Sequence, residues 1–398
     1  MGDGGWGMGD GGSTGWAVKV PGRLHAGRWR QRPTGGTLPP ASPAPSRVDS
    51  LTQAVLGGAV GHAVAGHQLG RRAALWGAVA GTVPDLDVLA YPLLDTAGEL
   101  VVHRGTTHGL AFAFVAGPAL GWLAWRGARW RTARARDGGP DRRDPGALGA
   151  WTAVWFWSLL THPLLDAFTV YGTQLLAPFS RRPFAVGSVF IIDPLVTVPL
   201  AACLAVALVR RQRAWAVAGL VLSTAYLGWG VVAQGAAERA TLQALADQGL
   251  RPTRSITVAA PLTTVLWRTV AEVETPDGAV YYTGLRSLLD RGPGVRFDTT
   301  AARLGLLSPY AGGRDAETLR WFSRGWLRAR PAGDGVEVAD LRFGRADGDL
   351  GPGDAPYIFA WQLGPDGLAP ADRPGPPAGT LAALWKRALG RTSRDPSR

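Results

Sequence analysis

Apolar runs alternate with short polar clusters through the first part of the chain. Leu51 to Leu69 carries no formal charge, only His62 and His67, and Arg71 and Arg72 close it. Ala73 to Val83 resumes the run and ends at Pro84-Asp85-Leu86-Asp87. Gly109 to Trp125 is uncharged and leads into a linker with Arg126, Arg129, Arg131, Arg134, Arg136, Arg142 and Arg143. Leu148 to Leu160 is apolar and tryptophan-rich and ends at His162 and Asp166. Pro194 to Val209 stops at Arg210, Arg211 and Arg213, and Ala214 to Ala237 is the longest uncharged run. That last run is long enough to cross a bilayer, whereas several others fall short of roughly 20 residues and must borrow polar flanks. The pattern predicts an all-α polytopic membrane bundle of about 5–6 helices over residues 48–237.

Residues 1–47 are rich in Gly, Pro and Ser without apolar periodicity, so they read as a disordered tail with no cleavable signal peptide. Beyond Glu238 the period changes to strand-like alternation. Ile256–Ala260, Val265–Glu274, Ala279–Thr283, Val336–Phe343 and Tyr357–Leu363 read as strands, Glu317–Ala329 as a helix, and Ala378–Leu389 as a final basic helix. Residues 238–390 are therefore expected to form a small soluble α+β domain, and 391–398 a loose tail.

Charge sharpens the membrane reading. The net charge of +12 over 398 residues comes almost entirely from arginine. Those arginines sit in short linkers between apolar runs, as in cytoplasmic loops of membrane proteins, so nucleic acid is not an expected partner. Seventeen tryptophans, many near the ends of apolar runs, suit an interfacial belt. The single cysteine, Cys203, excludes an intramolecular disulfide. If six helices span, the arginine linkers share the cytoplasmic side. The clusters with Asp85, Asp87, His103, His108, His162, Asp166 and Asp193 then share the opposite side with the C-terminal domain. Localisation in the bacterial inner (plasma) membrane follows.

Ionisable groups inside apolar sequence are functional candidates. His162 and Asp166 are four apart and share one helix face. Pro163 is tolerable near a helix start or a break. Asp85 and Asp87 follow a proline, and His103 and His108 flank Gly105. Mixed nitrogen and carboxylate donors suit zinc, or manganese, better than calcium or magnesium. An ion so held acidifies water, and Arg104 is placed to meet an anionic group of a substrate. The simpler readings are helix capping by Asp85 or Asp193, an interfacial anchor for Arg104, and hydrogen-bonded roles for His25, His62 and His67.

At these residues the chain resembles the YdjM-like, membrane-bound metal-dependent hydrolases of bacteria. The matching text includes Asp49–Gln53, Leu69–Asp87, His103-Arg-Gly-Thr-Thr-His108, Thr161-His-Pro-Leu-Leu-Asp166, Tyr171–Ser180 and Phe190–Pro194, within about Val48 to Leu208. The resemblance implies Asp85, Asp87, His103, His108, His162 and Asp166 as metal ligands or catalytic groups, with Asp87, His108 and Arg104 nearest the chemistry. A more distant likeness to zinc-dependent phospholipase C enzymes implies phosphoester hydrolysis. Gln53 departs from the pattern, which places a histidine there. The expected function is an integral-membrane, metal-dependent hydrolase of phosphoester or lipid-like substrates, with membrane lipids and a small-molecule or lipid substrate as partners. The competing expectation is a non-enzymatic membrane protein with a structural metal and a partner-binding C-terminal domain. A transporter fits less well, because no internal repeat is visible and the polar groups gather at helix ends.

Overall fold

The computed structural model of the chain describes residues 46–134, 146–351, 355–372 and 375–391. The tail expected at 1–47 lies almost wholly outside the described residues, as do 392–398 and the second half of the arginine linker. The membrane region contains α1 (Ser46–Leu69), α2 (Arg71–Thr82), α3 (Thr96–Val102), α4 (Leu110–Arg134), α5 (Leu148–Asp166), α6 (Pro194–Arg210) and α7 (Arg213–Ala246).

α1 and α2 form a helical hairpin around Gly70, which adopts φ 57°. Their contact is made by glycines one turn apart. A Cβ on Gly57 would lie within 2.2 Å of the Gly77 carbonyl oxygen, and one on Gly61 within 2.3 Å of the Ala73 carbonyl. Backbones come this close only where side chains are absent, the small-residue packing of membrane helices. α5 lies antiparallel to both α1 and α4. Ser158 on α5 donates to the Gly57 carbonyl, and Gly117 and Gly121 of α4 meet the backbone of Phe156 and Thr152. The start of α1, the end of α2, the start of α4 and the end of α5 therefore meet at one end. At the other end Arg71 donates to the Leu208 carbonyl, so the Arg71–Arg72 and Arg210–Arg213 clusters lie together.

The expectation of five to six spans is corrected. Two helical stretches among the described residues are long and apolar enough to cross a membrane, 71–93 and α7, or three if α3 and α4, bent by 58°, count as one span. α6 is only 17 residues, and α1 is interrupted by Gln53, His62, His67, Gln68 and several glycines. α4 also runs past the expected Trp125 to Arg134, so the first linker arginines extend the helix.

After Asp247 the chain builds two antiparallel sheets in simple sequence order. The first contains β1 (Arg254–Ala259), β2 (Leu266–Thr275), β3 (Gly278–Ser287) and β4 (Phe297–Ala301). The second contains β5 (Leu327–Ala332), β6 (Gly335–Asp340), β7 (Ala360–Gly364) and β8 (Gly367–Pro370). Two helices complete the region, α8 (Arg314–Ser323) and α9 (Thr380–Ala388). The helix expected over Glu317–Ala329 stops early, because Arg324 (φ 54°) and Gly325 (φ 76°) take left-handed conformations that terminate α8 and turn the chain into β5. The strand expected through Phe343 ends at Asp340, whose side chain accepts from Arg342 N and starts a tight helical turn over Leu341–Phe343.

The sheets do not stand apart from the helices. Leu100 of α3 shares a core with Leu319, Phe322, Leu327, Val338 and Trp361, against which Tyr171, Phe343 and Phe359 pack. α7 continues past residue 237 to Ala246. β1 then folds back along it, with Ser255 donating to Glu238 and Gln234 donating to the Thr257 carbonyl.

Candidate metal centre

The end of the bundle where four helix termini meet holds the polar residues singled out in the sequence. Asp85 leaves α2 on the helical turns of Pro84–Leu93, His108 precedes α4 after a turn over Thr106–His108, and His162 and Asp166 occupy the last turns of α5. Pro163 sits one turn before that helix ends, so the missing N–H falls beside the site.

Three of these residues converge. His108 Nε2 and His162 Nε2 are 3.1 Å apart, and Asp85 Oδ1 lies 3.5 Å from the first and 3.4 Å from the second. Asp166 Oδ2 comes within 3.4 Å of His108 Nε2 and 3.5 Å of His162 Nε2. Both histidines are buried. The His162 tautomer follows from its other nitrogen: Nδ1 is 2.6 Å from the Gly81 carbonyl and donates to it, which leaves a lone pair on Nε2 of the neutral ring. That lone pair faces a second imidazole nitrogen and two carboxylate oxygens. Arg104 beside Asp166 supplies one positive charge, and a proton on His108 Nε2 or a cation would satisfy the remaining acceptors. Ligands at 2.0–2.1 Å from a tetrahedral ion stand about 3.3–3.4 Å apart, close to the separations found here. Asp85, His108 and His162 could together hold a metal ion.

The remaining predicted ligands stand one step back. Asp87 Oδ1 is 3.3 Å from His103 Nδ1, its Oδ2 accepts from Arg104 N at 3.0 Å, and the same oxygen is 3.7 Å from His108 Nδ1. Asp87 thus braces His103 and the Arg104 backbone, His108 Nδ1 is hydrogen-bonded to Thr107 Oγ1 at 3.1 Å, and His103 does not reach the cluster. Arg104 is buried, with Nε 3.3 Å from Asp166 Oδ2 and Nη1 donating to Thr169 Oγ1 and the Asp166 carbonyl. Its guanidinium also lies 5.2 Å from the Tyr171 ring centre. Asp193 caps α6, accepting from Leu195 N and from Tyr226 OH, and takes no part in the cluster. His62 is buried with neither ring nitrogen hydrogen-bonded, His67 contacts Gln68, and His25 lies outside the described residues.

Gln53 points into the site. Its Nε2 donates to Asp166 Oδ1 at 2.8 Å and to the His162 carbonyl at 3.3 Å. Ser50 donates to Asp85 Oδ2. The Asp49 side chain is not among those described. The Gly81 carbonyl, Thr169 and Tyr171 had no role in the sequence reading. Of these only Thr169, one turn beyond Asp166, follows a helical spacing that could have signalled it.

A bundle of apolar helices with a buried His/Asp cluster at one end is the architecture of an integral membrane protein with a candidate metal centre. Residues 48–237 match the YdjM inner membrane protein family, which together with the apolar helices supports an inner-membrane location. The chain is 34% identical over 110 residues to the inner membrane protein YbcI of Escherichia coli (strain K12), a match covering 27% of this chain and 54% of that one. It is 28% identical over 129 residues to the uncharacterized protein YfhP of Bacillus subtilis (strain 168), covering 31% and 33%. The chain thus spans about half and a third of the lengths of these relatives. No solved structure matches it.

Proposed function

We propose that the membrane region is a metal-dependent hydrolase centre acting on phosphoester or lipid-like substrates, with zinc or manganese as the ion. The observation that carries the reading is the convergence of Asp85 Oδ1, His108 Nε2 and His162 Nε2, with Asp166 Oδ2 beside them. A bound divalent ion would supply Lewis acidity and make water nucleophilic near neutral pH. The protein's own groups would do the rest. The Gly81 carbonyl fixes the His162 tautomer, Thr107 holds His108, Asp87 braces His103, and Arg104 with Gln53 orients Asp166. His103 is one-fifth exposed with Asp87 on Nδ1, so its other nitrogen is available to exchange a proton with substrate. As placed, Arg104 acts through Asp166 as a positioning residue. Leu86, Leu89 and Leu93, exposed beside Asp85 and Asp87, support a lipid-like substrate. The arginine-rich opposite end supports an extracytoplasmic location for the site and for the C-terminal domain.

The second reading, a structural metal in a non-enzymatic protein, is favoured by one feature. Tyr171 lies 5.0 Å from His103 and 5.0 Å from Phe322 (ring centres), so the C-terminal domain packs close over the site. Metal analysis of the detergent-purified chain, beside His162→Ala and Asp166→Ala, tests the centre. Stoichiometric zinc or manganese lost in both variants, at unchanged melting temperature, supports it. Full metal content in the double variant would overturn it. Bound metal without chelator-sensitive hydrolysis of phospholipid vesicles would favour the structural reading.

A further inference from the structure

α9 presents two different faces. Leu384 and Ala388 pack inward against Ala260, Leu266, Leu285 and Leu350. The inner face is also pinned by polar contacts, Ser287 Oγ donating to the Ala388 carbonyl and Arg387 donating to Asp290 and the Leu285 carbonyl. The outer face carries Leu381 and Trp385, one turn apart and nearly 60% exposed, beside exposed Leu389 and Leu289. Lys386 and Arg391 are exposed alongside. Large apolar side chains gathered in this way need a partner.

The packing of α9 against the β1–β2 connection indicates where that partner lies. Thr264 in this connection donates to Tyr226 OH on α7, and Tyr226 OH donates to Asp193 at the start of α6. α7 rises about 1.5 Å per residue, so Tyr226 stands about 20 Å along its axis from Arg213. α6, from Arg210 back to Pro194, spans about 25 Å by the same rise. Both fall within the roughly 30 Å of a hydrocarbon core whose other boundary is set by the Arg210–Arg213 cluster. On this count the β1–β2 connection, with Leu262 exposed on it, stands about 10 Å short of the level at which α7 leaves the core, so it meets the bilayer in its boundary zone. α9 packs directly on this connection.

We propose that the outer face of α9, with Leu262 and Leu289, rests in the headgroup boundary of the same bilayer that α7 crosses. The helix is an interfacial anchor that seats the C-terminal domain on the membrane. Apolar Leu381 and Trp385 flanked by exposed Lys386 and Arg391 match the composition of such helices, whose cations favour anionic lipid. The inference does not depend on metal or catalysis.

The test uses the full chain with Cys203→Ala and a single nitroxide-labelled cysteine, Leu381→Cys or Trp385→Cys, in phosphatidylcholine/phosphatidylglycerol vesicles. Asp366→Cys, on the exposed β7–β8 turn, serves as the aqueous control. Labels at 381 and 385 are expected to collide with oxygen at least about threefold more than with a water-soluble nickel chelate, relative to the control. Nickel access equal to that at residue 366 would place α9 in water and overturn the proposal. Exclusion of both reagents, with an immobilised label, would assign the face to a second copy of the chain and also overturn it. The two label sites are independent, so poor folding of one variant leaves the other decisive.

Discussion

Two buried clusters of charge in this protein are built to opposite rules. In the C-terminal domain Arg342 and Asp340 are both fully buried, and every contact between them is a hydrogen bond of 2.6–3.0 Å. The remaining guanidinium nitrogen donates to the carbonyls of Val170 and Tyr171, which ties the domain to the membrane region. At the end of the bundle, Gln53 Oε1 and Asp166 Oδ2 are buried without a hydrogen bond, and the Nε2 atoms of His108 and His162 face carboxylates at 3.4–3.5 Å. A saturated network is architecture, because nothing further can enter it without breaking a bond. A converging and undersaturated one leaves acceptor atoms that an ion could satisfy.

Breaking the saturated cluster should have the largest effect on stability. Asp340→Ala leaves a buried guanidinium without its carboxylate, and removal of one partner from such a pair costs about 3–5 kcal/mol. Thermal melting in detergent should fall steeply, with proteolysis concentrated beyond residue 246. A melting temperature within error of the parent would refute the contrast.

Gly77→Ala comes next. The new Cβ would meet the Gly57 carbonyl, so α1 and α2 must separate at an overpacking cost of about 1–3 kcal/mol. Because Gly81 and Gln53 lie one turn further along the same contact, metal binding should weaken together with stability. Weakened stability with unchanged metal affinity would show that the hairpin does not hold the site.

Gln53→Ala should barely change melting but lower metal affinity about 10–100-fold, as expected for a group that orients a carboxylate at the site. Zinc titration of the apo-protein reads this directly, and superimposable binding curves would remove Gln53 from the centre.

The smallest effect concerns Asp290. Burial pushes its carboxyl up, but Arg387, Ser287 N and Arg286 more than offset this and hold it below the ordinary carboxylate range. A depressed folded pKa contributes stability above the unfolded value near 4, and that contribution is lost as pH falls through the folded value. Asp290→Asn should therefore lower the melting temperature at pH 7 and lower it less at pH 3. An equal deficit at both values would break the link.

How much of this was legible before folding depends on the range of the interaction concerned. The His162/Asp166 spacing, the clusters near Asp85 and His108, and their shared end of the bundle are local or alternating patterns, and the chain carries them openly. The division of these residues into converging groups and braces is not local. His103 and Asp87 lie next to the site in sequence, yet they stand behind it because Asp87 turns toward Arg104 N and His103. The selection of the His162 tautomer by Gly81 depends on two glycine-lined backbones meeting, which no periodicity reports. The span count differs for a local reason, helix length and composition. Neighbouring apolar runs were each read as a span, whereas the helices they form are short, as in the 17-residue α6, or carry polar residues that α1 and α5 bury. The sequence by itself determined apolar helices followed by strands, and the chemical character of the site. Tertiary structure decided which atoms converge and that Tyr171 and Arg342 bring the C-terminal domain over them, because those contacts join residues far apart in the chain, 54 positions for His108 and His162 and 172 for Val170 and Arg342, whose meeting is set by packing.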